Sequence, residues 1–118
     1  MFFNISNHPC SKWSPEQIQA AKDLGGDIVD IPFRNVDPYG ESGHLYGLLC
    51  DIQKKLDRLN HPETTIFHIM GESGFSFLLV TTIQNNGYRV FHSTTERVSV
   101  EKNGVKTSEF KFVKFRAY

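Results

Sequence analysis

The sequence predicts a small doubly wound α/β domain: a mainly parallel sheet with helices on both faces and a C-terminal β-hairpin. Short apolar runs with the length of buried strands alternate with segments of helical periodicity. Near the C-terminus the pattern changes to alternation around Asn103-Gly104, a dipeptide typical of two-residue hairpin turns. Since 118 residues suffice for one core but not for two, residues 1–118 are predicted to form a single domain.

The segment Thr64 to Gly87 is the predicted centre of the sheet. Thr64 to Met70 has the length and composition of a fully buried strand, and Phe75 to Ile83 is long enough for a helix. Gly71-Glu72-Ser73-Gly74 joins them, and Gly87 occupies the place of a C′ glycine. In open α/β sheets ligands bind where such strands end, and helix N-termini favour anions, so a ligand site is predicted at this turn.

The N-terminal half supplies two strands and two helices. Met1 to Ser6 predicts a first strand, and Ser14 is the N-cap of a helix that runs from Pro15 to Leu24. Asp27 to Phe33 predicts a second strand near the sheet edge, because it contains Pro32. Apolar residues at helical spacing from Leu45 to Leu59 predict an amphipathic helix over one face.

The C-terminal part predicts a fourth strand and a hairpin. The strand Tyr88 to Ser93 is expected to end in a polar segment, Thr94 to Arg97. A turn at Asn103-Gly104 would place Glu101 opposite Lys106 and Arg97 opposite Phe110. The last strand, Thr107 to Phe115, is either apolar on both sides or bulged. Such an aromatic ribbon is suited to contact with a second copy of the chain.

Right-handed crossovers give strand order 2-1-3-4 with a hairpin extension, so the loops after the first, third and fourth strands flank one crevice. Amide, hydroxyl and cationic groups there suit phosphate oxygens, and the side chains of His8, Glu72 and Glu96 could accept or donate protons. The predicted site residues are Ser6, Asn7, His8, Ser11 and Lys12 from the first loop, Gly71, Glu72, Ser73 and Gly74 from the second, and Thr94, Thr95, Glu96 and Arg97 from the third.

Each group also has a structural interpretation. His8, before Pro9, can simply cap its turn, and Glu72 and Ser73 can cap the third helix. The two threonines can merely end a strand, with Arg97 paired to the preceding glutamate in solvent.

Other polar residues have simpler explanations. His68 and His92 lie inside predicted strands and are interpreted as hydrogen-bonded core residues. Cys10 is close enough to His8 for a thiolate pair, although a small residue in a turn is the better explanation.

Composition excludes several functional classes. Thirteen basic and thirteen acidic residues leave no net charge, which argues against a general duplex binder. Two cysteines are too few for a disulfide framework, so a cytoplasmic location is expected, and the longest apolar run, Phe77 to Val80, is far too short to span a membrane. The glycine spacing fits neither a dinucleotide fingerprint nor a P-loop, and no zinc-ligand spacing occurs. Neither a cofactor nor a metal is therefore predicted.

The loops and strands taken together resemble a known group. The segments NISNHPCSKWSPEQ, GDIVDIPFRNVDP, GESG, STTERV and KFVKFRAY resemble small stand-alone CRISPR-associated proteins with a Rossmann-like fold, which are grouped with minimal CARF domains and ring nucleases. The resemblance implies a homodimer that binds a cyclic oligoadenylate, with cyclic tetra-adenylate favoured, at the carboxyl ends of the strands. It further implies metal-independent cleavage of the ring by the adenosine 2′-hydroxyl, which ends a type III CRISPR antiviral signal.

Under that resemblance the site residues take roles. Backbone groups of Gly71 to Gly74 and the hydroxyls of Ser73, Thr94 and Thr95 would hold phosphates, and Lys12 or Arg97 would offset charge. His8, or else Glu72 or Glu96, would orient or deprotonate the 2′-hydroxyl. Two alternatives stay open: a sensor or sink that binds the ring without cutting it, and an unrelated α/β enzyme acting on a phosphorylated metabolite.

Overall fold

A computed structural model describes residues 1–118 and confirms the predicted α/β class. The elements are β1 (Phe2–Ser6), a 3₁₀ turn (Cys10–Lys12), α1 (Pro15–Gly25), β2 (Ile28–Pro32), α2 (Ser42–Leu56), β3 (Ile66–Met70), α3 (Ser73–Asn85), β4 (Arg89–Lys102) and β5 (Val105–Ala117). The five strands form one sheet in the order β2-β1-β3-β4-β5. The first four strands are parallel and β5 is antiparallel to β4, as the sequence predicts.

The helix ends follow local sequence signals. The hydroxyl of Ser14 accepts a hydrogen bond from the backbone N–H of Gln17, and Gly26, at a φ of 83°, ends α1. The second helix begins and ends earlier than predicted, at Ser42 and Leu56, although Leu59 still packs against the core. None of the helices combines the length and apolar character needed to cross a bilayer.

The prediction that β4 ends at Ser93 and continues as a loop is wrong. β4 is a single strand of 14 residues, so the segment Thr94–Arg97 is strand rather than loop. The strand pairs with β5 from Phe91 to Lys102, and this pairing, which the polar composition of Thr94–Arg97 does not reveal, holds the segment in strand conformation. The predicted hairpin register is confirmed, with Glu101 opposite Lys106 and Arg97 opposite Phe110.

The last strand carries a bulge, one of its two predicted alternatives. Thr94 pairs with Lys114 and Thr95 with Phe112, so Val113 is the extra residue. The bulge brings the rings of Phe112 and Phe115 to one face, with centroids 5.0 Å apart.

The sheet is covered on both faces. One face packs against α2 and α3 around a cluster that includes Ile69, Phe75 and Leu79. The other packs against α1 around Phe2 and Ala21 and is called the α1 face below. Apolar residues fill the amino-terminal half of the α1 face, whereas polar residues fill the half where the parallel strands end.

Candidate functional site

A polar cluster, buried at Asn4 and His68 and exposed at Asp30, crosses three parallel strands on the α1 face. The third residue of each five-residue strand is polar: Asn4 in β1, Asp30 in β2 and His68 in β3. The strand register places both Asp30 and His68 beside Asn4. Asn4 and His68 are only 1% and 2% exposed, so the polar atoms of both depend on protein partners.

The side chain of Asn4 has all its hydrogen-bonding groups occupied. Its Nδ2 donates to the Asp30 carboxylate at 2.8 Å and to the backbone carbonyl of His8 at 2.9 Å. Its Oδ1 accepts from the hydroxyl of Ser6 and meets Nδ1 of His68, both at 2.8 Å. The acidic neighbour fixes the amide orientation, since a flipped amide would place an oxygen against a carboxylate. Nδ1 of His68 must therefore carry the proton.

His68 is a neutral core residue, as the sequence predicts. Burial lowers the pKa of its imidazole to about 4, and the neighbouring His92 adds to that lowering. Its Nε2 lies 3.3 Å from the hydroxyl of Ser93, which continues the cluster onto β4. Phe2 and Phe115 pack around the ring, with centroids 6.0 and 5.2 Å away.

The cluster fixes the loop that follows β1. The Ser6 hydroxyl accepts a hydrogen bond from the backbone N–H of His8 at 3.2 Å, and the His8 carbonyl accepts from Asn4. Both backbone groups of His8 are thus held by buried side chains of β1, while its own side chain is exposed at the end of the strand. Asn7 beside it is also exposed.

Asp30 anchors the 3₁₀ turn to β2. Its carboxylate accepts hydrogen bonds from the backbone N–H of Cys10 at 3.1 Å and from the thiol at 3.3 Å. Burial alone would raise the pKa of Asp30, but the hydrogen bonds from Asn4 and Cys10 outweigh it and lower the pKa. Burial raises the pKa of the Cys10 thiol, and its hydrogen bond to Asp30 raises it further. A protonated thiol bound to a carboxylate replaces the thiolate pair with His8 that the sequence allows.

Glu72 is the N-cap of α3. Its two carboxylate oxygens accept from the backbone N–H groups of Gly74, at 3.0 Å, and Phe75, at 2.8 Å. These hydrogen bonds lower the pKa of Glu72, so the group is a weak base. The sequence predicts that backbone groups of this turn hold a phosphate, but the Glu72 carboxylate already accepts from the N–H groups of Gly74 and Phe75. This agrees with the capping interpretation. At the same turn, a side chain on Gly71 would collide with the ring of Phe33.

The predicted loops share one edge of the sheet but line different clefts. Asn7 and Glu72 line a cleft of about 250 Å³ together with Arg34 and Asn35. Ser6 and Asn7 line an adjoining cleft of about 270 Å³ with Asn4 and Asp30 at its base. Below, the "rim cleft" means these two adjoining spaces, which share Asn7 and Phe33.

Lys12 lies away from the rim cleft. It lines a separate cleft of about 590 Å³ between the start of α1 and the hairpin, whose wall includes Phe110 and Phe112. Ser11 is exposed in the same 3₁₀ turn, and Ser73 is exposed at the start of α3.

The third predicted group stands on a projecting ribbon. Thr94, Thr95, Glu96 and Arg97 belong to what we call the arm, residues 94–112, the part of the hairpin beyond the parallel strands. The Thr94 hydroxyl lies 3.2 Å from the Lys114 carbonyl, so it bridges β4 and β5. None of these four residues lines the rim cleft.

Sequence reasoning missed Asn4 and Asp30, although a signal was present. Each lies at the middle of an otherwise apolar strand, and the same position of β3 holds His68. Polar residues at matching positions of three adjacent parallel strands must meet on one face.

Residues 1–116 match the family described as "Uncharacterized protein MJ1673 family". A search of the curated proteins and a search of the solved structures gave no match.

Proposed function

We propose that this chain, which belongs to the MJ1673 family, binds a cyclic oligoadenylate at the rim cleft as a homodimer in the cytoplasm and cleaves it without a metal. Cyclic tetra-adenylate is the favoured ring, and the role is to end a type III CRISPR antiviral signal. The observation that carries the proposal is the position of His8. Buried side chains hold both of its backbone groups, its own side chain is exposed, and it lies in the chain between Asn7 and Pro9, which both line the rim cleft.

The rim cleft offers suitable donors for phosphate oxygens. Asn7 and Asn35 carry amide groups, and Arg34 carries a guanidinium. Arg34 is paired with Asp51 at 3.3 Å, but both side chains are about half exposed, so the pair can open towards an anion. A guanidinium can bind phosphate through two parallel hydrogen bonds.

The reaction is an internal transesterification. The 2′-oxygen of one adenosine forms a bond to the adjacent phosphorus, and the bond from phosphorus to the 5′-oxygen of the next nucleotide breaks. The products are a 2′,3′-cyclic phosphate and a 5′-hydroxyl, so no water or other co-reactant is consumed. His8 accepts the proton of the 2′-hydroxyl, the 5′-oxygen takes a proton from solvent as it leaves, and His8 then returns its proton to solvent. The sequence suggests Lys12 or Arg97 as the group that offsets the charge building on the phosphate, but neither lines the rim cleft, so Arg34, which does, takes this role.

Most of the acceleration would come from positioning. Holding a 2′-hydroxyl in line with its own phosphate needs a rigid frame more than a strong base. The hydrogen bonds of Asn4 and Ser6 to the His8 backbone supply such a frame.

One observation favours the second candidate, a sensor or sink that holds the ring intact. Glu72 uses both carboxylate oxygens to cap α3, and Glu96 lies on the arm, which leaves His8 as the single candidate base of the three that the sequence predicts. A binding protein would need the same amide and guanidinium donors but no base.

The test is to incubate the purified chain with cyclic tetra-adenylate and cyclic hexa-adenylate in EDTA and to resolve products by chromatography. The proposal expects linear products that end in a 2′,3′-cyclic phosphate. Binding without linear products would establish the sensor, and absence of binding to either ring would overturn both.

The variant His8→Ala separates chemistry from binding. It should lower turnover about 100-fold, the typical contribution of a general base, while affinity for the ring changes little. His61→Ala is the matched control, because His61 is exposed near the start of β3, at the other end of the sheet from His8. Equal turnover of both variants and the parent would remove His8 from the mechanism.

A further inference from the structure

Apart from the cleft that Phe110 and Phe112 share with the start of α1, the arm is a two-stranded ribbon without a covering layer. Nearly all of its residues are exposed, among them Phe110, at 72%, and Val105, at 60%. A hairpin of two strands is only marginally stable in water, and stability normally needs a third strand or a covering layer. The outer edge of β5 also lies unpaired at the end of the sheet. We propose that a second copy of this chain covers that edge, arm against arm, across a two-fold axis at Phe110.

The turn determines which backbone groups face the free edge. In a two-residue hairpin the residues that flank the turn, Lys102 and Val105, exchange hydrogen bonds, and bonded and non-bonded pairs alternate from there. Phe110 and Arg97 then form a non-bonded pair, so the N–H and C=O of Phe110 point outward. The same holds for Ser108 and Phe112. These three residues offer donors and acceptors to an antiparallel neighbour.

Charge selects the register. An antiparallel pairing centred on Phe110 places Glu109 of each chain opposite Lys111 of the other, which makes two ion pairs related by the two-fold axis. Centring on Ser108 would place Glu109 opposite Thr107 and leave the charges unpaired, and centring on Lys106 would oppose two lysines. Centring on Phe112 would place the bulge at Val113 inside the pairing. Of these registers, only the one centred on Phe110 pairs Glu109 with Lys111 and also keeps the bulge outside the paired segment.

In this dimer the two sheets lie side by side on opposite sides of the axis, and their carboxyl edges point in opposite directions. Ser93 contacts Met70 at the end of β3, and Arg97, level with the axis, lies four residues further along β4. At about 3.3 Å per residue each edge is about 13 Å from the axis along the strand direction. The two edges are therefore about 26 Å apart in that direction, with a further sideways displacement of about 4.8 Å for each strand between them. The ribbon between them carries Thr95 and Arg97 of both chains on the same face as Ser93.

The arm alone forms the proposed dimer interface, and the ligand is not needed for it, so the test is run without nucleotide. Sedimentation equilibrium of the full chain should show a dimer. Glu109→Lys should raise the dimer dissociation constant about tenfold, because each lysine then opposes another, and Lys111→Glu added to it should restore the parent value. A monomer, or a dimer indifferent to both changes, would overturn the proposal.

A cross-link tests the axis directly. Phe110→Cys in a Cys50→Ser background should form a disulfide-linked dimer under mild oxidation, because a residue on the axis faces its own copy within disulfide reach. Phe77→Cys in the same background is the control, since Phe77 is equally exposed but lies on α3. Equal cross-linking of the two variants would contradict the arrangement. Failure of either test leaves ring binding by the rim cleft unaffected.

Discussion

Replacing Asn4 with alanine should destabilise the domain strongly, because one buried side chain connects three strands and a loop. The change removes the only partner of Nδ1 of His68. Ser6 can turn its hydroxyl to the His8 carbonyl at 3.1 Å, and Asp30 keeps its bonds to Cys10. Leaving one buried polar group without a partner costs about 1–3 kcal/mol, and the small cavity costs about 1 kcal/mol. The free energy of unfolding should therefore fall by about 3 kcal/mol.

Equilibrium unfolding in urea at pH 7 measures this loss. The midpoint should fall while the dependence on urea concentration stays the same, since the surface exposed on unfolding hardly changes. Asn35→Ala, in an exposed loop, is the control and should cost less than about 0.5 kcal/mol. A loss below about 1 kcal/mol for Asn4→Ala would refute the account of the cluster.

Three further predictions concern single residues near the site. The pKa of His68 is about 4 in the folded chain against 6.5 for a free imidazole, so protonation favours the unfolded chain and stability is lost as pH falls from 6.5 towards 4. Urea unfolding should show that this group accounts for a loss of about 2 kcal/mol between pH 7 and pH 4.5, and His68→Phe should remove that part of the pH dependence. Gly71→Ala would press a Cβ into the Phe33 ring and should lower the free energy of unfolding by about 1–3 kcal/mol, measured by thermal unfolding. A second change, Phe33→Leu, should recover part of that loss. Glu72→Ala should lower the thermal midpoint because α3 loses its cap. Glu72→Asp can still cap and should keep a midpoint close to that of the parent. Equal midpoints for the two variants would contradict the capping role.

The order of the strands was predictable because each connection obeys a strong local rule. Pro15 after Ser14 sets the start of α1, and Asn103-Gly104, with φ values of 52° and 77°, sets the hairpin turn and its register. Right-handed crossovers then leave few arrangements of the sheet.

The site was harder to predict because it depends on contacts between distant segments. Asn4 and Asp30 are 26 positions apart and meet only through the register of β1 and β2. The polar run Thr94–Arg97 suggests a loop, but pairing with β5 overrides that local preference. Glu72 has the same sequence signal whether it binds a ligand or caps a helix, and only the geometry of its two oxygens separates the roles.

The most direct test of the proposed site is a titration of the isotope-labelled chain with cyclic tetra-adenylate in EDTA, followed through backbone amide chemical shifts. Ring binding at the rim cleft predicts that the largest shifts fall on Asn7, His8 and Asn35, with His61 unchanged. Shifts confined to the groove between β2 and α2, around Ile52 and Leu59, would contradict the account, as would a spectrum that does not respond.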